Sequence, residues 1–319
     1  KIVIEKECHE HDFDQLLEVH KRNRNKIPID SSDRKTQEPL ENRFAKSMSI
    51  LEPLFKIMEK KMEKISKSKL RLLKKYFLEN PKVSMAFLFG SQVKGQALFD
   101  SDVDIAVYFK PEERRLEWEE RGEYPGVTEI WAETEKILGE NVDILVLNKA
   151  PSLIAFDALR TGIPLVIKDG MLYVRFLLCI SSAAMDFKEF IEDYWQIEQR
   201  STSLSDFDKT RLIEIVKFLT NEIDDWNVYL KFDWDEYQND RLKRRSLEHW
   251  VENIVNATID IARILLASEK KPLPGTYREI LRSFMSLKYF DKNVAEKLGE
   301  FARLRNIITH EYLDIRWEQ

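Results

Sequence analysis

Gly90-Ser91-Gln92-Val93-Lys94-Gly95-Gln96-Ala97-Leu98-Phe99-Asp100-Ser101-Asp102-Val103-Asp104 is the stretch on which the reading of this chain turns. It follows Val83-Ser84-Met85-Ala86-Phe87-Leu88-Phe89, an uncharged run that reads as a buried strand stopping at Gly90. Residues 102–109 read as a second strand. A strand that halts at Gly-Ser before a short helix offers backbone N–H groups and a hydroxyl to a phosphate. Gly90 permits close approach of the backbone, and Lys94 can help neutralise a triphosphate. Asp102 and Asp104 are two apart on a strand, so they share a face. Two carboxylates there repel each other unless a cation lies between them, and Mg²⁺ accepts such oxygen ligands. Asp143, on an expected third strand at 141–147, is of the right type to complete the set and to orient or deprotonate an attacking hydroxyl. Metal-assisted in-line attack at the α-phosphorus of a nucleotide follows. An Asp-x-Asp pair alone is equally a solvated strand edge. Its combination with strand-Gly-Ser, a gap of ten residues and a third strand carboxylate sets this one apart.

Outward from this segment, strands and helices alternate. A helix is expected around Val127–Leu138, another at 151–159 opened by Pro151 and closed near Gly162, and a long amphipathic one over 171–200. Interleaved strands and helices define an α/β domain. Ser201-Thr202-Ser203-Leu204-Ser205 then punctuates the chain, and beyond it everything reads as helix. Leu212, Ile215, Leu219, Ile223, Trp226 and Leu230 form one stripe; Trp250, Ile254, Ala257, Ile261 and Ile264 form another, as in an antiparallel bundle. Upstream, Phe44, Met48, Leu51, Phe55, Met58, Met62 and Ile65 repeat at 4-3 spacing, a helical seam interrupted by Pro53. The expected architecture is therefore a multi-domain α+β/α chain: a helical N-terminal extension at 1–66, an α/β domain at 67–200 and an all-α bundle at 201–319.

Composition narrows the function classes. The 319 residues include only 9 glycines and 10 prolines, which argues against an all-β, collagen-like or disordered chain. A formal net charge of −5 excludes a wholesale cationic coat for nucleic acid while permitting a local basic cleft. Two distant cysteines encode no disulfide framework. No uninterrupted apolar run approaches the ~18 residues of a membrane span, so a cytoplasmic, membrane-free protein is expected.

A second constellation stands near the C-terminus: Leu304-Arg305-Asn306-Ile307-Ile308-Thr309-His310-Glu311-Tyr312. His310 can exchange a proton near neutral pH, and Arg305 can stabilise charge on an in-line phosphorus, which suits metal-free RNA cleavage. On a straight helix, five residues place the two about 140° apart. Convergence is thus expected only through a bend or a shared phosphate. The bland alternative makes Arg305 a helix cation and His310 and Tyr312 bundle fillers. Cys8-His9-Glu10-His11 matches no zinc spacing, the cluster Arg241-x-Lys243-Arg244-Arg245 reads as a solvated helix start, and tryptophans such as Trp226 and Trp250 read as core.

Gly90-Ser91, ten residues, then Asp102-x-Asp104 resembles the signature of the DNA polymerase β-like nucleotidyltransferases, especially the minimal nucleotidyltransferases that act as antitoxins. The likeness continues through Val142-Asp143-Ile144-Leu145, Pro151 and Gly162. It implies ATP as donor, Mg²⁺ at Asp102, Asp104 and Asp143, nucleotide contacts at Gly90, Ser91 and Lys94, and AMP transfer to a hydroxyl. Gln92 departs from the basic residue often found there. Arg305-x4-His310-x-Tyr312, preceded by Arg245-Ser246-Leu247-Glu248 and Tyr277-Arg278-Glu279-Ile280, resembles the HEPN superfamily and its HepT-type toxins. This second resemblance implies a homodimer, Arg305 and His310 as ribonuclease residues toward tRNA or mRNA, and Tyr312 as the tyrosine that receives AMP. Together the two describe a fused MntA–HepT-type toxin–antitoxin in which transferase silences nuclease. The rivals are an enzyme adenylating a small molecule such as an aminoglycoside, against which the Arg305 motif counts, and a non-catalytic binding module, against which the retained carboxylates count.

Overall fold

The computed structural model describes residues 65–94, 102–111, 116–200, 204–288 and 290–310, leaving out the side chains of Gln92 and Lys94. Strand β1 (Val83–Phe89) is buried at every position, as an uncharged strand paired on both edges and covered on both faces must be. It runs antiparallel to β2 (Val103–Phe109) and to β4 (Ile163–Ile167), while β3 (Val142–Val146) adds parallel to β2; the sheet order is β3-β2-β1-β4. The sequence reading contained three strands. The fourth, Ile163-Pro164-Leu165-Val166-Ile167, carries a proline that cannot donate to a ladder, and the fold accepts it because β4 lies at the sheet edge.

Helices α1 (Lys67–Glu79) and α3 (Val127–Leu138) cover one face, where Leu73, Phe77, Ile130 and Leu138 meet Ala86, Leu88, Ile105 and Val107. Helix α1 arises from a stretch that reads as a run of charge. Its Leu70, Leu73 and Phe77 form the buried stripe, and the hydroxyl of Ser66 caps it by accepting from the N–H of Lys69. Helix α2 (Ser91–Lys94) is a single turn after β1. Helix α4 (Ser152–Thr161) and the first half of α5 (Gly170–Glu198) cover the opposite face, packing Ala155, Ala158, Phe176 and Ile180 on Met85, Phe87, Ala106 and Tyr108.

Helix α5 is 29 residues long and serves two cores. Leu172 to Ala183 belong to the sheet core, and Phe187, Phe190, Tyr194 and Ile197 belong to the helical one. By length and composition α5 is long and apolar enough to cross a membrane, contrary to the expectation from uninterrupted apolar runs. Its buried apolar residues are divided between these two protein cores, while Leu178, Met185 and Trp195 are exposed.

The helical half continues through α6 (Asp206–Asp224), α7 (Trp226–Tyr229), α8 (Trp234–Asn239), α9 (Arg241–Ser268), α10 (Tyr277–Arg282), a 3₁₀ turn at Ser283–Ser286, and α11 (Lys292–His310). Ser205, Asp233, Asp240 and Thr276 each cap a helix start with a side-chain oxygen. Val255, Ile259 and Ile264 of α9, Ile280 of α10 and Ala295 and Ala302 of α11 close on the second half of α5. The stripe on α6 is buried less than expected. Leu212 and Ile215 pack on this core, but Ile223, Trp226 and Leu230 are exposed, as are Ile213, Val216 and Phe218. Trp226 leans on the buried Trp250 at 6.0 Å between ring centres. Of the N-terminal heptad only Ile65 falls among the described residues, and it is buried.

Candidate functional site

The parallel register of β2 and β3 sets Asp104 opposite Asp143, so the two side chains leave adjacent strands on the same face. Asp102 precedes β2 by one residue and follows the same alternation. On the other flank Phe89 is the register partner of Asp104, which brings the turn at Gly90 beside this carboxylate. Gly90 has φ +79°, and an added Cβ would lie 2.7 Å from Asp104 Cγ and nearer still to Oδ2. Glycine is therefore demanded twice, by backbone conformation and by the carboxylate pressed on it. Asp102 and Asp143 are exposed, and Asp104 and Ser91 are half-buried. Among the described residues no three His, Cys, Asp or Glu side chains converge closely enough to ligate one metal ion. Strand register relates Asp104 to Asp143, and strand alternation relates Asp102 to Asp104. Lys94 lies in α2, with its side chain outside the described residues.

Arg305, Asn306 and His310 lie on α11 and are buried, Arg305 being 6% and His310 7% exposed. The helix is continuous through both, yet Arg305 Nη1 and His310 Nε2 are 3.1 Å apart. The expected divergence is overcome within a continuous helix. A guanidinium on a long stem reaches round the helix, and one carboxylate meets both groups: Asp186 Oδ2 on α5 lies 2.8 Å from Arg305 Nη1 and 3.7 Å from His310 Nε2. Asn256 Oδ1 accepts from Arg305 Nε at 2.9 Å, Ser182 Oγ sits 3.1 Å from His310 Nδ1, and the guanidinium lies 5.1 Å from the ring centre of Tyr277. Sequence reasoning missed Asp186, Ser182 and Asn256. The available signal was a single acid inside the apolar run Ala183-Ala184-Met185-Asp186-Phe187, where an unpaired charge is costly.

Burial alone would raise the pKa of Asp186, but hydrogen bonds from His310 and Arg305 outweigh it and hold the carboxyl at about 2. Burial, followed by the nearby Asp186 charge, pushes the Tyr277 phenol well above its usual value. A carboxyl lowered in the folded state stabilises above its unfolded pKa of about 3.9 and loses that contribution as pH falls toward 2. The difference in thermal midpoint between wild type and Asp186→Asn is accordingly expected to shrink as pH falls from about 4 to 2, as followed by circular dichroism.

The remaining sequence candidates separate readily. Lys243 pairs with Glu236 at 2.5 Å, which partly neutralises the basic cluster at the start of α9, and Arg244 donates to the carbonyl of Gln238 at 3.4 Å. Tyr312 and Cys8-His9-Glu10-His11 lie outside the described residues.

Residues 71–170 match the family model for polymerase beta nucleotidyltransferases, and residues 219–319 match that for HepT-like ribonucleases. No curated protein matches the chain. Among solved structures it is similar to a toxin–antitoxin complex with AMP-PNP, at 21% identity over 39% of this chain and 96% of that one, with a TM-score of 0.30. It is also similar to an MntA–HepT toxin–antitoxin, at 18% identity over 39% and 97%, TM-score 0.27. A third is a tri-AMPylated Shewanella oneidensis HEPN toxin in complex with its MNT antitoxin, at 18% over 39% and 97%, TM-score 0.28.

Proposed function

We propose that this chain, which joins a nucleotidyltransferase domain to a HepT-like ribonuclease domain, is an ATP- and Mg²⁺-dependent protein adenylyltransferase that modifies Tyr312 and thereby silences RNA cleavage by Arg305 and His310. The observation that supports it most is the parallel register of Asp104 on Asp143, with Gly90 packed against Asp104. An all-oxygen set of carboxylates on one sheet face suits a hard divalent cation. Asp102, Asp104 and Asp143 would hold Mg²⁺, which when bound neutralises phosphate charge. The Gly90-Ser91 turn binds the nucleotide's phosphates through backbone N–H and hydroxyl, with Lys94 adding positive charge. Asp143 orients the acceptor hydroxyl and takes its proton as the phenolic oxygen bonds to the α-phosphorus; the bond to the β-phosphate breaks and pyrophosphate leaves.

AMP on Tyr312 places a phosphate charge two residues from His310, which repels the phosphates of an RNA substrate. Transfer between copies is part of this proposal. Trp118, in the loop beyond β2, touches His310, whereas Asp104 lies at the other end of that strand, which extends ~17 Å over the five residues from Asp104 to Phe109. The exposed apolar residues of α6 and α7 offer a surface for a second copy.

Intact mass after incubation with ATP and Mg²⁺ is the test. Increments of one AMP that map to Tyr312 and vanish in Tyr312→Phe are expected. A mixture of Asp104→Asn and Tyr312→Phe chains, each inert alone, is expected to regain AMP on the Asp104→Asn chain. An unmodified protein that adenylates an aminoglycoside instead would overturn the reading.

A further inference from the structure

Residues 116–124, between β2 and α3, are built into the sheet rather than laid over it. The phenol of Tyr108 accepts from the N–H of Glu117 at 2.7 Å, and Glu117 Oε2 accepts from Asn148 Nδ2 at 3.0 Å and from the Tyr124 hydroxyl at 2.9 Å. Leu116 and Trp118 are buried in the core beneath α5. So anchored, the next residues cross to the helical half. The Trp118 ring meets His310 edge to face at 6.3 Å. Glu119 Oε2 accepts from Asn306 Nδ2 at 3.3 Å, and the Glu119 carbonyl accepts from Arg278 Nη1 at 3.1 Å. Glu120 pairs with Arg303, and Arg121 with Glu300 at 2.7 Å. Trp118, Glu119, Tyr277, Asn306 and His310 line a crevice too narrow for a water molecule.

Three carboxylates lie around Arg305 and His310, besides the neutral polar groups of Asn256, Ser182 and Asn306. Asp186 is on the guanidinium, Glu119 is on the neighbouring Asn306, and Glu252 accepts from Thr309 at 3.1 Å. A carboxylate bonded to an arginine and close to a histidine occupies the position a phosphodiester needs. These carboxylates repel a polyanionic RNA while they stay in place. Asp186 lies between the two family-matched segments, 71–170 and 219–319, so it comes from the connecting helix.

We propose that loop 116–121 and Asp186 form an internal clasp that holds the Arg305–His310 pair in place of an RNA phosphate, so that cleavage requires the loop to withdraw and Asp186 to release the guanidinium. The inhibitory consequence rests on the reading that this pair cleaves RNA; the closure itself does not. It is a restraint independent of AMP, acting on the unmodified chain.

Full-length protein is to be treated with diethyl pyrocarbonate, with histidine labelling followed by peptide mass spectrometry and RNA cleavage measured in parallel. His249, whose side chain is 72% exposed, is the internal reference. In wild type, His310 is expected to label at least about tenfold more slowly than His249. In Glu119→Arg/Glu120→Arg, which takes the carboxylate acceptor from Asn306 and replaces attraction by repulsion at Arg303, labelling of His310 is expected to approach that of His249 and cleavage to rise about tenfold. Trp118→Ala should move both readouts the same way, and Asp186→Asn should raise cleavage. Equal labelling of His310 and His249 in wild type would overturn the clasp. So would loss of cleavage in Asp186→Asn with His310 exposed, because Asp186 would then be a positioning group. Labelling that follows the expected pattern with no cleavage in any variant would uphold the closure and remove the ribonuclease reading instead.

Discussion

Asp104→Asn is expected to lower AMP transfer by about a thousandfold, the order seen when one charge-stabilising group is removed from a polar site. Asp104 is the carboxylate that sits between both neighbours, opposite Asp143 on one flank and against Gly90 on the other. The amide keeps the shape and hydrogen-bonding reach of the carboxyl but removes the charge a divalent ion requires. Intact mass in a timed reaction with ATP and Mg²⁺ measures the rate, and an unchanged circular dichroism melt shows the fold is retained. Gly90→Ala should reach a comparable loss by the opposite route. Its charges are intact, but the methyl would overlap the Asp104 carboxylate and hold φ +79°, where an L side chain is strained. A rate within a factor of ten of wild type for either variant would dissociate this face of the sheet from the reaction.

Phe176→Ala is expected to destabilise the chain by about 3–5 kcal/mol. Phe176 is fully buried, and its ring meets that of Tyr108 edge to face at 4.7 Å. Removing it leaves a cavity under α5 that packed neighbours cannot fill without strain. Its consequences should extend beyond the sheet, because Tyr108 anchors Glu117 and α5 continues into the helical core. Calorimetry is therefore expected to show one transition lowered by about 10 °C, rather than a lowered sheet transition beside an unchanged helical one. Two separate transitions would show that α5 does not couple the halves.

Particular elements show how far local pattern carries. The strand at 83–89 and the helix at 127–138 were legible because each is uniform in its own period: one continuously apolar, the other amphipathic and closed by Gly139. Helix α1 was obscured by charge, since its stripe of Leu70, Leu73 and Phe77 is narrow among lysines and arginines. Strand β4 was obscured by Pro164, which is a bar to a central strand and acceptable at an edge. Whether a segment is an edge is a property of the assembled sheet. The same holds for α6, whose apolar residues announced a helix but could not reveal that half of them would face outward.

By itself the sequence determined the α/β-then-helical order, the joining of a nucleotidyltransferase domain to a HepT-like domain, and the residue types available for chemistry, because periodicity and motif spacing are local along the chain. Only the tertiary structure decided which of those residues meet. The parallel register that sets Asp104 on Asp143 spans 39 residues, and the contact of Asp186 with Arg305 spans 119. Such pairings are chosen by the burial of whole faces against one another and by the need to partner a charge taken out of water, and neither requirement leaves a period in the sequence.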